Sequence, residues 1–277
     1  MKLKIPILLT ILFSISTTAF GQKKAVKPKT QTKTIKTEAT TATKPAETII
    51  TETQTAAVKT PTVPEILAKY VQAIGGKQAN EKIKSRMTKG TVEIPAAGIK
   101  GTFESYTAAP NKSVSKNSLP GIGDIIEGFD GQTAWSVNPL QGNKDKQGEE
   151  LEQTKLLNNF YREINLAQLY PKMELKGTEK VGENDTYVVV GTPKVGTPET
   201  FYFDTKSGLL VRQDIIAIQP EGNTPTQTFF EDFRAVDGIK TAHKIRTILP
   251  QFEVIITTTE IKNNVVIEDA KFAKPKA

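Results

Sequence analysis

The chain has no cysteine, one histidine (His243), one tryptophan (Trp135) and three methionines in 277 residues. Lack of cysteine excludes disulfides, thiol redox chemistry and Cys-ligated metal, so stability must come from an ordinary hydrophobic core. One histidine leaves no His/Cys metal site, and a Ser-His-acid triad would have to use His243. His243 lies in Thr241-Ala242-His243-Lys244-Ile245, where an alternating strand suits a structural histidine better than a catalytic base. No serine occupies a G-x-S-x-G elbow. Gly121-Ile122-Gly123-Asp124 is glycine-rich but enters a strand, and reads as a turn rather than a phosphate loop. Glu149, Glu150 and Glu152 open a helix, where acids complement the dipole. Glu231 and Asp232 are strand neighbours that point to opposite faces, which spoils them as a catalytic carboxylate pair. The expectation is a non-enzymatic protein with no cofactor and no metal.

Long apolar runs are also missing. Only residues 5–13 are almost continuously apolar, too few for a span of about 20 residues. They follow Lys2 and Lys4 and precede small residues ending in Ala19-Phe20-Gly21, the pattern of a signal peptide over residues 1–21 with cleavage before Gln22. A retained N-terminal anchor is the alternative. No cysteine follows the cleavage site, so the mature chain is not expected to be a lipoprotein itself. Export to the periplasm or cell envelope is expected, with no transmembrane span in the mature form.

Excess charge is absent from the part of the chain that can fold. The formal net charge is +7, of which Lys2 and Lys4 carry +2. Residues 22–61 hold eight lysines against Glu38, Glu47 and Glu52, a net +5, so residues 62–277 are neutral. A nucleic-acid-binding domain would concentrate basic charge on the fold, so no nucleic-acid partner is expected. Residues 22–61 are rich in Lys, Thr, Ala and Pro and poor in large apolar groups, and cannot offset their ordering entropy. They read as a disordered tether with a span of about 35 Å, a solubilising spacer more readily than an adhesive for anionic surfaces.

Residues 62–277 are expected to form one β-rich domain. It opens with a helix: Pro64 sits in the first turn, Ile66, Leu67, Tyr70, Val71 and Ile74 form one stripe, and Gly75-Gly76 ends it. From residue 86 the period changes to two. Residues 86–94 and 99–107 read as a strand pair, and 112–117 as a third strand. A helix over 149–161 interrupts, with Leu151, Leu156, Leu157 and Phe160 on one side and a further turn at 166–170. The rest is a meander with turn chemistry at 182–185, 196–198, 204–208, 220–223, 237–238 and 250–251. About eleven or twelve strands result, nearly all antiparallel neighbours. Several are apolar on both faces: Leu209, Val211 and Ile215 alternate with Leu210, Ile216 and Ile218. With only two helical segments to cover them, a strongly curved sheet round a cavity is the better solution.

The stretch Gly128-Phe129-Asp130-Gly131-Gln132-Thr133-Ala134-Trp135 carries a strong hairpin signal, since Asp-Gly tolerates positive φ at both turn centres. Thr133, Trp135 and Val137 then share one strand face and Ala134 and Ser136 the other. Trp135 is either a sheet-core residue or the liner of an apolar cavity.

The hairpin Asp130-Gly131-Gln132-Thr133-Ala134-Trp135, ending at Asn138-Pro139, resembles the DGKxLW…NP hairpin of the LolA/LolB-like outer-membrane lipoprotein-sorting superfamily. So do the strand Phe103–Thr107 running into Ala108-Ala109-Pro110-Asn111, the hairpin Phe201-Tyr202-Phe203-Asp204 to Ser207-Gly208-Leu209-Leu210-Val211, and the closing Asp269-Ala270-Lys271-Phe272. The resemblance spans most of residues 64–276. It implies an incomplete β-barrel: a curled antiparallel sheet, with helices covering a hydrophobic cavity that binds lipid or acyl chains without chemistry, and envelope lipoproteins as partners. An envelope sensor or protein-interaction domain on the same fold is the alternative. In the lipoprotein carrier the residue before the Pro-Asn corner is an arginine that holds the lid shut. Here it is Ala109, so that latch does not carry over. On the resemblance and the strand parity, Trp135 is expected to face the cavity with Phe103, Phe201, Phe203, Leu209, Val211 and Phe229.

Overall fold

The computed structural model describes residues 60–275. The expected signal peptide and the tether, apart from Thr60 and Pro61, fall outside these residues. The first helix, α1 (Val63–Ala73), has a complete capping box. Glu65 N donates to Thr62 Oγ1 at 3.4 Å, and Thr62 N donates to Glu65 Oε2 at 2.6 Å. These bonds satisfy donors that a helix start leaves without partners. Ile66, Leu67 and Tyr70 form its buried stripe, Gly75 leaves the helix at φ 111°, and α2 (Lys77–Lys82) follows.

A first meander comprises β1 (Ser85–Ile94), β2 (Ile99–Ala108), β3 (Lys112–Leu119), β4 (Gly123–Phe129), β5 (Ala134–Asn138) and β6 (Gly142–Asp145). The connector holds α3 (Gly148–Leu157), a 3-10 turn at Arg162–Ile164 and α4 (Leu166–Leu169). The second meander comprises β7 (Lys172–Val181), β8 (Asn184–Thr192), β9 (Glu199–Asp204), β10 (Leu210–Ala217), β11 (Thr224–Val236), β12 (Ile239–Ile248) and β13 (Glu253–Asn263). A final 3-10 turn lies at Asp269–Phe272.

All thirteen strands form one antiparallel sheet in the order β6-β5-β4-β3-β2-β1-β13-β12-β11-β10-β9-β8-β7, curled but not closed into a barrel. The strand beyond the expected eleven or twelve includes β6, whose Gly-Asn-Lys-Asp sequence has no apolar alternation to betray it. The two meanders meet only where β1 pairs with β13. A register shift there falls between Lys89 and Gly90. A Cβ on Gly90 would stand 2.1 Å from Thr257 O, so only glycine permits that backbone approach.

The register assigns the two faces. Phe103, Ser105 and Thr107 point to the concave side, and Tyr106 to the convex side. Tyr106 pairs with Val114, Val114 with Gly128, and Gly128 with Trp135. The expected Asp-Gly hairpin therefore forms, but Trp135 lies on the outer face. There it is 1% exposed and packs with Val114 and Phe272. Its Nε1 donates to Phe272 O at 3.1 Å, so the C-terminal 3-10 turn clasps the indole from outside.

The indole lies flat over Gly128, where an added Cβ would come within 2.2 Å of Trp135 Cζ2. Gly128→Ala is therefore expected to displace the ring and lower stability by about 1–3 kcal/mol. Its single-tryptophan emission should move to the red. A thermal melt and an emission spectrum check this, and values unchanged from the parent would contradict the packing.

Candidate functional site

Between the concave face and the helices lies a cavity of about 310 Å³. Tyr70 of α1, Ile74 at its C-terminal cap, Leu157 of α3 and Leu166 of α4 form its helical side. The second meander gives an apolar wall of Leu210, Phe230, Phe233, Ile245, Ile256 and Ile261. Phe230 and Phe233 are three apart and would face opposite ways in a regular strand. The left-handed Asp232 between them (φ 52°) breaks the alternation, and both reach the cavity. The first meander gives a polar wall: Arg86 and Thr88 of β1, Ser105 and Thr107 of β2, Ser113 and Ser115 of β3.

Of the residues expected to line the cavity, Phe103 is on its wall. Trp135 is not, for the reason of parity given above. Phe201, Phe203 and Leu209 lie in a filled core beneath α1 and α4. There Phe203 packs against Tyr70 at 5.2 Å and Phe201 edge-on against Tyr170 at 5.1 Å. Val211 falls in the register shift between Leu210 and Arg212, off the cavity wall. Phe229 belongs to the outer face, with the guanidinium of Arg246 4.1 Å above its ring and that of Arg212 at 5.6 Å. On β11 the concave face takes Phe230 rather than Phe229.

A buried polar group ties the helical connector to the sheet. Arg162 Nη2 donates to Glu199 Oε2 at 2.7 Å and to Tyr170 Oη at 2.6 Å. The same carboxylate oxygen accepts from Tyr170 Oη at 2.7 Å and from Gln213 Nε2 at 2.6 Å. Glu199 is 1% exposed, and burial pushes its carboxyl above the ordinary range, against the pull of Arg162 and of the hydrogen bonds. At the Pro-Asn corner, where Ala109 offers no side-chain donor, contact with the connector is made by backbone: Phe160 N donates to Pro110 O at 2.9 Å. The tie at Arg162 was not legible before the fold, because an arginine beside a helix end reads as a solvated charge.

His243 is 7% exposed, and its Nδ1 is 3.0 Å from Thr241 O. Among the described residues no group of three His, Cys, Asp or Glu side chains could hold a metal. No helix among them is long and apolar enough to cross a membrane.

At the level of sequence, no family model and no curated protein matches this chain. Solved structures do. A DUF1329 family protein from Desulfovibrio piger superposes with a TM-score of 0.53 at 16% identity, over 77% of this chain and 98% of that one. A LolA superfamily protein from Nitrosomonas europaea superposes with a TM-score of 0.51 at 13% identity, over 78% of this chain and 99% of that one. The fold is LolA-like. The motifs quoted from the sequence fall in this LolA-like frame as hairpins: Asp130-Gly131 joins β4 to β5, and Asp204 to Gly208 joins β9 to β10.

Removing the cation of the buried tie strands Glu199 in the interior. Arg162→Met is expected to cost about 3–5 kcal/mol at neutral pH. The sign with pH follows from Glu199. Its raised pKa means the stability it contributes is full below the ordinary carboxylate range and is lost as pH rises through the folded value. The variant raises that value further, so its deficit should shrink on acidification from pH 7.5 to pH 5. Thermal melts at both pH values check this, and a deficit independent of pH would contradict it.

Proposed function

We propose that this domain is a non-enzymatic binding or carrier protein of the cell envelope that takes a lipid, lipoprotein acyl chain or other apolar ligand into the cavity beneath the helices. The observation that carries the reading is the unfilled space itself. Protein interiors are packed to crystal density, and a domain of this size leaves few voids larger than a water molecule. The space of about 310 Å³ beneath the helices, partly open to solvent and walled by Leu210, Phe230, Phe233, Ile245, Ile256 and Ile261, is larger than a packing defect. It sits at the lower end of ligand pockets, about 300–1,000 Å³. Each methylene moved from water onto this wall is worth about 0.8 kcal/mol. The signal-peptide pattern and the likeness to a LolA superfamily protein support export and an envelope role. Catalysis draws no support from His243, whose one hydrogen-bond partner among the described residues is a backbone carbonyl.

Ala242 lines the cavity and is 9% exposed, so a larger side chain there projects into the space. The parent is expected to take up an environment-sensitive fluorescent fatty acid saturably, and Ala242→Phe to weaken that uptake about tenfold while remaining folded. Lack of uptake by the parent, or uptake unaffected by filling the cavity, would overturn the reading.

A further inference from the structure

The polar wall contains one cation that the protein leaves without an anion. Arg86 projects from β1 into the concave side, where its Nε donates to Asn263 Oδ1 at 2.9 Å. Asn263 is fixed in turn, its Nδ2 donating to Asp237 Oδ2 at 3.0 Å. These two bonds hold the guanidinium by one edge. Its terminal nitrogens have no hydrogen-bond acceptor and no ion pair among the described residues, although Arg162, Arg212, Arg234 and Arg246 all have carboxylate partners. Burial disfavours the Arg86 charge, and the more distant Glu163 and Asp237 offset this only in part. Arginine nonetheless remains protonated, so the site keeps a partly desolvated positive charge facing the cavity.

Hydroxyls surround it. Arg86 lies beside Thr107, and Thr107 beside Ser113; one row along, Thr88 lies beside Ser105, and Ser105 beside Ser115. None of these five hydroxyls makes a hydrogen bond to protein among the described residues, and all five line the cavity with Arg86. A guanidinium fork with several free hydroxyl donors is the chemistry that holds a multi-oxygen anion. The apolar wall continues from it across β13, β12 and β11. One end of the space suits an oxyanion and the other a hydrocarbon.

We propose that the cavity selects anionic amphiphiles, with the carboxylate or phosphate head bound by Arg86 and the hydroxyls of β1, β2 and β3 and the alkyl chain lying on the wall of the second meander. This rests on the reading of the cavity as a lipid site and specifies its ligand class. Glu163 also lines the cavity, on the connector, and disfavours an anion there. Arg86 and Lys240 outnumber it, Arg162 being neutralised by Glu199.

Calorimetric titration of the full mature chain with dodecanoate, dodecyl phosphate and dodecanol separates the claims. The parent is expected to bind at least one of the two anions about tenfold or more tighter than the alcohol, and the preferred anion tells carboxylate from phosphate. Arg86→Met should bring that anion to the level of dodecanol and leave dodecanol unchanged, and Arg86→Lys should restore part of the difference. Equal binding of all three by the parent would overturn the anion site and leave the cavity reading standing. Binding of none would overturn both. The parent comparison decides the matter even where a variant at Arg86 fails to fold.

Discussion

The strand order puts β6 and β7, joined by one connector in the chain, at opposite edges of a thirteen-stranded sheet. At about 4.8 Å per strand interval, a flat sheet of this width would hold those edges about 58 Å apart. The connector, residues 146–171, spends much of its length in α3, the 3-10 turn and α4, where each residue advances only about 1.5–2 Å. It could span a flat sheet only with every remaining residue stretched straight. Curling brings the edges together and draws the helices across the concave side. Curvature, cover and cavity thus follow from one topological constraint, which exists because β1 pairs with β13 and fuses two meanders into one sheet.

The interior that results is divided. Beneath α1 and α4 the second meander is filled by Phe201, Phe203, Leu209 and Tyr170, and the buried Arg162–Glu199 pair fixes the connector there. Such a pair is weak evidence of net stability, since desolvation consumes most of the attraction. Its geometry is still specific, because three donors, from Arg162, Tyr170 and Gln213, converge on one carboxylate oxygen. Away from that filled end the sheet and connector stand apart. There the first meander shows hydroxyls and a guanidinium where a structural core would show leucine and valine. A wall of this composition is costly to bury in contact with hydrocarbon alone and suits a guest with a polar end.

Much of the architecture was legible because turns and caps are local chemistry. Pro64, the stripe from Ile66 to Ile74 and Gly75-Gly76 marked α1, and Asp130-Gly131, Asp237-Gly238 and Pro250-Gln251 marked hairpins that formed. Faces were harder. Alternation places Trp135 with Val137 and apart from Ala134, yet it carries no information on which side is concave. That choice is made by the C-terminal turn, whose Phe272 covers the indole from more than a hundred residues away. The bulge at Val211 and the left-handed Asp232 reset the alternation in two strands that supply the cavity, and neither position announces itself in sequence. Arg86 and Arg162 were missed for a related reason. An isolated arginine usually lies in water, and only the folded packing reveals one held inside.

The central claim is that the curled sheet and its helical connector enclose space for an amphiphile. Native mass spectrometry of the protein recovered from the cell envelope without detergent tests it most directly. The account predicts a population carrying the added mass of one alkyl-chain amphiphile, released on unfolding and identifiable by fragmentation. A protein that repeatedly shows only its bare mass, and stays bare after incubation with envelope lipids, would contradict it.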